Sequence, residues 1–242
     1  MCFGKWKPRP RRHALSHLAY RSNLIERSTC TPTPASPPAC CDNEAVEIAF
    51  DDRGLVPCVV QDWRTGEVLT LAYMNEQALA RTRETGEMHF WSRSRAELWH
   101  KGETSGNVQR LRGLRYDCDE DSLLALVEPA GPACHTGERT CFYRGDTETA
   151  AHEALPALER VIVERRGASS DESYTARLLA DPPLIGEKVR EEAEEVARAS
   201  AGESDDRLAE EAADVLYHLT VLLASRGLAL ADALDVLNAR RR

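Results

Sequence analysis

The hydrophobic pattern changes its period near residue 150, and this change constrains the fold more than any other feature of the chain. Before it, short β-rich runs alternate apolar with polar residues, whereas after it apolar residues recur every three or four positions along extended segments. The first pattern is typical of half-buried strands and the second of amphipathic helices. The sequence therefore predicts an α+β protein, in which a mainly-β domain over residues 44–146 is followed by an all-α helical bundle over residues 153–242.

Turn-forming residues divide each part into individual elements. Gly66 lies between two β-rich runs, and Asn75 is a suitable N-cap for a short helix that would stop at Gly86. In the first domain the pattern predicts strands over 46–50, 56–61, 68–73, 88–91 and 123–127 and a helix over 75–83. In the second domain it predicts helices over 154–165, 185–199, 205–225 and 230–240.

Residues 1–43 differ from the rest of the chain in composition. They are rich in Lys, Arg and Pro and poor in acidic residues, with a Pro-rich run at 31–38. Such a segment buries too little apolar surface to offset the entropy of ordering, which predicts disorder. We interpret it as an N-terminal extension of a cytoplasmic protein. Its composition also fits an organellar transit peptide, so a plastid location stays open as the alternative.

The composition excludes some classes of function. The net charge is −9, and an acidic body argues against nonspecific nucleic-acid binding, which depends on cationic side chains. No apolar run reaches the roughly 18–20 residues that cross a bilayer, so no membrane protein is expected. There are eight cysteines. Because their spacing is irregular and the chain is long for a disulfide scaffold, we favour metal-ligating thiols in a reducing compartment over disulfides.

Three of the cysteines have a spacing that suits a metal. Cys118, Cys134 and Cys141 would supply three thiolates and leave a fourth zinc position open for water, as catalytic zinc sites usually do. Bound zinc lowers the pKa of water towards about 7. A closed structural zinc site or three buried thiols fit the spacing equally well. His135 could move a proton near neutral pH, or serve as a fourth ligand or structural hydrogen-bonding group.

Carboxylates surround the first of these cysteines. If residues 117–121 are extended, the side chains of Asp117, Asp119 and Asp121 share one face and Cys118 points to the other. Three oxygen donors suit Mg²⁺, whereas thiolates suit zinc. The alternative is a solvated acidic turn.

A polar and basic stretch over residues 88–106 could bind phosphate. It combines cationic side chains, hydroxyls and an aromatic ring that could stack on a purine, while Gly102 and Gly106 permit close backbone approach. An ordinary basic surface loop is the alternative. The candidate substrate-binding residues are Trp91, Ser92, Arg93, Ser94, Arg95, Lys101, Thr104 and Ser105.

The second domain carries acidic stripes on two predicted helices. Residues three and four apart share a helix face, and two such helices packed antiparallel would crowd several carboxylates, for which a divalent cation is the natural compensator. Two acidic, solvated helices are the alternative. The candidate Mg²⁺ ligands are Glu191, Glu192, Glu195, Glu211 and Asp214, and Lys188 is the candidate substrate-binding residue.

Several segments together resemble phosphoribosyl-AMP cyclohydrolase over roughly residues 44–143. They are 72–76, 91–95, 98–99, 101–102, 104–106, 117–119 and 133–137. The resemblance implies zinc at the three cysteines, Mg²⁺ at the three aspartates, and a homodimer whose active sites lie at the subunit interface. It also implies that zinc-activated water attacks adenine C6 and that the N1–C6 bond breaks. His135 is then the expected proton shuttle, and His89 is a second candidate.

The helical part is similar to phosphoribosyl-ATP pyrophosphatase over roughly residues 153–242. The segments 173–179, 188–195 and 210–219 carry the similarity, whereas Pro182 and Pro183 interrupt a region that is helical in that family. The two resemblances imply a bifunctional hydrolase of histidine biosynthesis, which converts phosphoribosyl-ATP to phosphoribosyl-AMP and pyrophosphate and then opens the adenine ring. Two alternatives are a house-cleaning nucleotide pyrophosphatase fused to another zinc hydrolase, and a non-enzymatic zinc-stabilised binding module.

Overall fold

A computed structural model describes residues 47–146, 150–167 and 173–241. The predicted N-terminal extension lies outside these residues. The first domain is mainly β and the second is helical, so the α+β prediction is confirmed. In the described part of the chain, no helix combines the length and hydropathy needed to traverse a lipid bilayer.

The first domain is built on a four-stranded sheet with a separate two-stranded hairpin. The sheet order is β2-β1-β6-β5, in which β1 and β6 are parallel and the other pairs are antiparallel, and β3 pairs with β4 in the hairpin. The strands are β1 (Val56–Asp62), β2 (Val68–Met74), β3 (His89–Ser92), β4 (Glu97–His100), β5 (Gln109–Tyr116) and β6 (Leu123–Pro129).

Alternation along β1 places every second side chain in the core. Val56, Cys58 and Val60 are fully buried and pack with residues of β2, β3 and β6. Burial raises the pKa of the Cys58 thiol to about 12, because the core disfavours the thiolate. Cys58 is therefore a core residue and not a metal ligand.

The strand predicted over residues 46–50 is wrong for the residues that the structure describes. Residues 47–50 have no regular structure. Ile48 and Phe50 still pack against the sheet core, and the Ala49 amide donates to the Glu120 carbonyl at 3.0 Å. The alternation correctly predicted which side chains face the core. Among the described residues, however, no strand pairs with residues 47–50. Strands β4 and β5 were not predicted.

One helix covers part of this sheet. Helix α1 (Glu76–Thr85) begins where Asn75 accepts a hydrogen bond from the Ala78 amide, and it ends at Gly86 in the left-handed region. The predicted cap and stop residues are confirmed. The buried residues of α1, Ala78 and Leu79, join the sheet core.

The second domain has five helices among its described residues. They are α2 (Ala154–Arg165), α3 (Tyr174–Ala180), α4 (Pro182–Ala199), α5 (Asp205–Ser225) and α6 (Leu230–Ala239). A 3₁₀ turn, Ala151–Glu153, precedes α2. Helix α4 packs along α5, and a core of Ile162, Leu178, Ile185 and Val221 joins α2, α3, α4 and α5.

The two prolines at 182 and 183 begin α4 rather than delaying it. The Asp181 side chain accepts from the Leu184 amide, and both prolines occupy the first turn, where their missing N–H groups need no partner. The helix predicted over 185–199 therefore starts three residues earlier. The short helix α3 ends at the same aspartate. Residues 181–183, where the sequence departs from the family pattern, therefore separate two helices.

Two glycines of the loop after β4 differ in how closely the chain approaches them. We expect Gly102→Ala to cost more than about 2 kcal/mol, because φ is +90° and an added Cβ would lie 2.4 Å from the Asn107 backbone. Gly106→Ala is the matched control. Its φ is +75° with open space around it, so it should cost about 1 kcal/mol. Urea unfolding measures both, and equal losses would show that the close approach is unimportant.

Candidate metal and phosphate sites

The three aspartates after β5 meet in a turn. One carboxylate oxygen from each of Asp117, Asp119 and Asp121 lies within 4.8 Å of the others. The segment is a tight turn in which Glu120 has a φ of 66°, so the expectation of an extended segment with alternating faces is wrong. The turn gathers the same three oxygens by a different route, and they fit a Mg²⁺ ion.

Hydrogen bonds shape this aspartate turn. The Ser122 amide donates to Asp117 Oδ1 at 3.1 Å, and the Ser122 hydroxyl donates to Asp121 Oδ1 at 2.9 Å. Desolvation acts to raise the pKa of Asp117, but the Ser122 hydrogen bonds outweigh it and hold that pKa below its ordinary value. Asp117 is thus kept as a carboxylate, the form that binds metal.

The second group of donors lies in the loop after β6, residues 133–141, here called the thiolate loop. Cys134 is buried, and the Thr136 hydroxyl donates to its Sγ at 3.1 Å. That hydrogen bond, with others from Thr136, Cys141 and His135, lowers the pKa of Cys134. A stabilised thiolate with a second cysteine beside it is the donor chemistry that zinc prefers.

Cys118 does not complete this set within one chain. It is exposed in the aspartate turn, where its Sγ lies 3.9 Å from Asp119 Oδ1. Among the described residues, Cys118, Cys134 and Cys141 do not come within 4.8 Å of one another as a group. The exposed His135 ring places Nδ1 3.8 Å from Cys134 Sγ, which is close enough for a role beside the thiolates.

Lys101 lies beneath the thiolate loop. It is buried, and its Nζ donates to the Ala133 carbonyl at 2.7 Å. Desolvation lowers the pKa of Lys101, while the charges of Cys141 and Cys134 oppose that shift. The ammonium group therefore lies close to both cysteines, and its predicted contact with phosphate stays a prediction.

Most of the predicted phosphate-binding residues line one pocket. The pocket has a volume of about 520 Å³, and Arg93 stacks over the Tyr73 ring with its Cζ 3.8 Å from the ring centroid. It is lined by Leu71, Ala72, Tyr73, Phe90, Trp91, Ser92, Arg93, Ser94, Arg95 and Trp99. Thr104 and Ser105 lie elsewhere, in the exposed loop after β4.

His89 has a packing role in the structure. Its ring is buried and stacks on His100 with ring centroids 4.5 Å apart. Its Nδ1 lies 2.9 Å from the Glu87 carbonyl, and His100 pairs with the Glu87 carboxylate at 2.8 Å. These contacts give His89 a packing role, and its part in proton transfer stays a prediction.

The helical domain brings three of its five candidate carboxylates together. One oxygen from each of Glu192 and Glu195 on α4 and Glu211 on α5 lies within 4.8 Å of the others. Glu191 instead turns to Lys188, whose Nζ donates to it at 2.6 Å. Asp214 is exposed and lies outside this three-carboxylate cluster.

Burial and repulsion make the glutamate cluster costly without a cation. Desolvation raises the pKa of Glu211, and the charges of Glu195 and Glu192 add to that shift, although Arg207 opposes it with an ion pair. Crowded, desolvated carboxylates are the arrangement that a divalent cation stabilises.

Two further residues lie behind this cluster. His218 is buried with its Nδ1 3.6 Å from Glu192 Oε1, and the Tyr174 hydroxyl lies 3.2 Å from its Nε2. The sequence places His218 on the same helix face as Glu211 and Asp214. Its contact with Glu192 of α4 could not be predicted, because that contact depends on how the two helices pack.

The two halves of the chain match two families of hydrolase. Residues 70–143 match the family model of phosphoribosyl-AMP cyclohydrolase, and residues 155–241 match that of phosphoribosyl-ATP pyrophosphohydrolase. The two domains of the fold therefore belong to two families of hydrolase.

Bifunctional relatives share this arrangement along most of their length. The chain is 51% identical over 201 residues to the histidine biosynthesis bifunctional protein HisIE of Bacillus subtilis (strain 168), which covers 81% of this chain and 96% of that protein. It is 50% identical over 198 residues to the HisIE protein of Gloeobacter violaceus, covering 80% and 90%. The chain belongs to the HisIE family of bifunctional histidine-biosynthesis enzymes. Neither a house-cleaning nucleotide pyrophosphatase nor a non-enzymatic binding module would account for these matches.

The glutamate cluster gives a test of cation binding that needs no substrate. We expect Mg²⁺ at about a hundred times its dissociation constant to raise the melting temperature of the helices by roughly 5 °C or more. Far-UV circular dichroism follows this transition. Glu211→Gln should abolish most of the increase, whereas Glu194→Gln, an exposed change on the same helix as Glu192, should retain it. Equal increases in both variants would exclude the cluster as a cation site.

Proposed function

We propose that each reaction of this bifunctional enzyme occurs at a donor set of its own. Phosphoribosyl-ATP is hydrolysed to phosphoribosyl-AMP and pyrophosphate at the three-carboxylate cluster of α4 and α5. The adenine ring of phosphoribosyl-AMP is opened at the thiolate loop. The observation that carries this proposal is the separation of a cluster of carboxylate oxygens in one domain from the free cysteines Cys134 and Cys141 in the other.

In the helical domain, the glutamates would hold Mg²⁺, which would neutralise the charge of the α- and β-phosphates. Hydrolysis breaks the anhydride bond between these two phosphates, and pyrophosphate leaves. Lys188 lies at the edge of the cluster, half-buried and paired with Glu191, where it can turn to a phosphate oxygen. His218 lies buried behind Glu192, with its Nδ1 3.0 Å from the Asp214 carbonyl and 3.6 Å from Glu192 Oε1.

In the β domain, the pocket beside β3 positions the nucleotide. Arg93 and Arg95 offer charge-assisted donors to its phosphates, and Trp91 or Trp99 offers a surface for its adenine ring. Zinc held by the thiolates would supply a Lewis acid that lowers the pKa of water to near neutrality. His135 accepts the proton that this water loses as it attacks C6, and returns a proton to N1 as the N1–C6 bond breaks.

We further propose that the thiolate site is completed by a second copy of the chain. Cys118 precedes β6 and Cys134 follows it, and a strand of seven residues spans roughly 20 Å. One chain therefore holds Cys118 away from its own Cys134 and Cys141. In a homodimer, the Cys118 turn of one subunit can face the thiolate loop of the other, with the Asp117 cluster beside it.

An assay of both reactions tests the assignment of the two sites. Wild-type protein supplied with phosphoribosyl-ATP, Mg²⁺ and Zn²⁺ should release pyrophosphate and form the ring-opened imidazole carboxamide. Cys134→Ser should stop at phosphoribosyl-AMP, because the zinc site loses a buried thiolate. Glu192→Gln should leave phosphoribosyl-ATP intact, because the cation cluster loses a ligand. Chromatography of the nucleotides follows all three species.

Two further variants make this assay sharper. Glu194→Gln should keep both activities, since its side chain is exposed on α4. Asp214 was predicted as a ligand from the sequence but lies outside the cluster. Asp214→Ala should therefore release pyrophosphate if the three glutamates hold the cation, and should fail to release it if Asp214 is also a ligand. If Glu192→Gln released pyrophosphate at the wild-type rate, the cluster would not be the site of that reaction.

Mixing two inactive variants tests the shared site. Cys118→Ser and Cys134→Ser should each lack ring-opening activity. A mixed dimer contains one intact site, made of Cys118 from one chain and Cys134 with Cys141 from the other. Unfolding and refolding an equal mixture should therefore restore about a quarter of wild-type activity, since random pairing makes half the dimers mixed. No recovery, with pyrophosphate release intact, would place the three cysteines in one subunit.

A further inference from the structure

The turn between β1 and β2, residues 63–67, touches both the thiolate loop and the helical domain. On the side of the loop, Arg139 pairs with Asp62 and Glu67. On the side of the helices, Arg160 of α2 pairs with Glu67, and Arg64 of the turn pairs with Asp232 of α6 at 2.6 Å. The turn is thus a common support for the two domains.

Arg139 fastens the thiolate loop to this turn. Its Nε donates to Glu67 Oε2 at 2.7 Å and its Nη2 donates to Asp62 Oδ2 at 2.7 Å. The two carboxylates are largely buried, with side-chain exposures of 12% and 6%. A planar guanidinium held by two desolvated carboxylates has little freedom to turn, which makes the attachment rigid.

The backbone carries this attachment to the cysteines. The Arg139 carbonyl accepts from the Ala133 amide at 3.1 Å, and the Glu138 carbonyl accepts from the Cys134 amide at 3.0 Å. At the other end, the Cys141 amide donates to the Leu69 carbonyl of β2 at 2.8 Å. The distance between the two thiolates therefore depends on where Arg139 is held.

Glu67 links that position to the helical domain. Arg160 Nη1 donates to both of its oxygens, at 3.0 and 3.1 Å. Burial acts to raise the pKa of Glu67, but the hydrogen bonds and charges of Arg139, with the charge of Arg160, hold it below its ordinary value. Glu67 is therefore a carboxylate shared by one arginine from each domain.

We propose that the helical domain positions the thiolate loop through Arg160 and Glu67, so that its docking sets the zinc affinity of the cyclohydrolase site. Arg139, Glu67 and Arg160 are positioning residues, since none of them is a metal ligand. The inference rests on the proposed zinc site. It makes the pyrophosphohydrolase domain a structural part of the other active site, in addition to its own reaction.

The zinc affinity of the full chain tests this link without reference to activity. Competition with a chromophoric chelator under reducing conditions gives the dissociation constant. Arg139→Gln should weaken zinc binding about tenfold, as loss of a group that supports a ligand does. Arg160→Gln acts through one more, partly exposed ion pair and should weaken it roughly two- to fivefold. Arg160→Lys should lose less, because it keeps the charge.

Controls separate the link from a general loss of structure. Arg165→Gln, an exposed change on the same helix α2, should bind zinc like wild type. Pyrophosphate release by every variant should stay at the wild-type rate, which shows that the helical domain is folded. The double variant with Arg139→Gln and Arg160→Gln should bind zinc like Arg139→Gln alone, because both changes break the same series of contacts through Glu67.

Two results would overturn the inference. If Arg160→Gln binds zinc as tightly as Arg165→Gln, or if the two losses multiply in the double variant, the helical domain does not act through Glu67. If the wild-type chain binds no zinc while it opens the ring, the proposed zinc site fails together with the inference. If the wild-type chain binds zinc and Arg160→Gln does not change its affinity, the link is refuted while the proposed zinc site stands.

Discussion

The first domain depends on the hydrogen bonding of β6 along both of its edges. It pairs with β1 in parallel on one side and with β5 antiparallel on the other, and its side chains Leu123, Ala125 and Val127 are buried in the core. A strand fixed in this way cannot slip without moving its apolar face out of the core. The aspartate turn at its start and the thiolate loop after its end are therefore held at fixed positions by one ladder.

The two candidate sites differ in the charged groups that lie beside them. In the helical domain, three carboxylates of α4 and α5 meet, and within the described residues Arg207 pairs with Glu211 and Arg198 pairs with Glu195. In the β domain, Lys101 is buried beside the thiolate loop, and its ammonium group donates to the Ala133 carbonyl of the loop backbone. Crowded carboxylate oxygens are the donors that hard cations prefer, whereas cysteine sulfurs are the donors that soft cations prefer.

The sequence was most informative where one residue decides a local conformation. Asn75 and Gly86 gave both ends of α1, and the period of the apolar residues gave α2 and α5 nearly to the residue. It failed where partners come from far along the chain. Residues 47–50 alternate like a strand but have no strand beside them, and β5 carries arginines that obscure its pattern.

The same distinction holds for the sites. The carboxylates of Asp117, Asp119 and Asp121 were found from their spacing, although a turn and not a strand brings them together. The helix spacing gave Glu192, Glu195 and Glu211 but could not exclude Glu191, because the choice depends on the rotation of α4 against α5. Arg139 and Glu67 are 72 positions apart, and no local pattern joins them.

The parallel pairing of β1 with β6 also orders events during synthesis. An antiparallel hairpin such as β1 and β2 can form as soon as its second strand leaves the ribosome, but β1 must wait for β5 and β6 before its other edge is covered. Until then the central strand of the sheet shows an open edge, a state that favours pairing with other chains. The helices that follow make mostly local contacts, so they can fold quickly once the sheet beside them is closed.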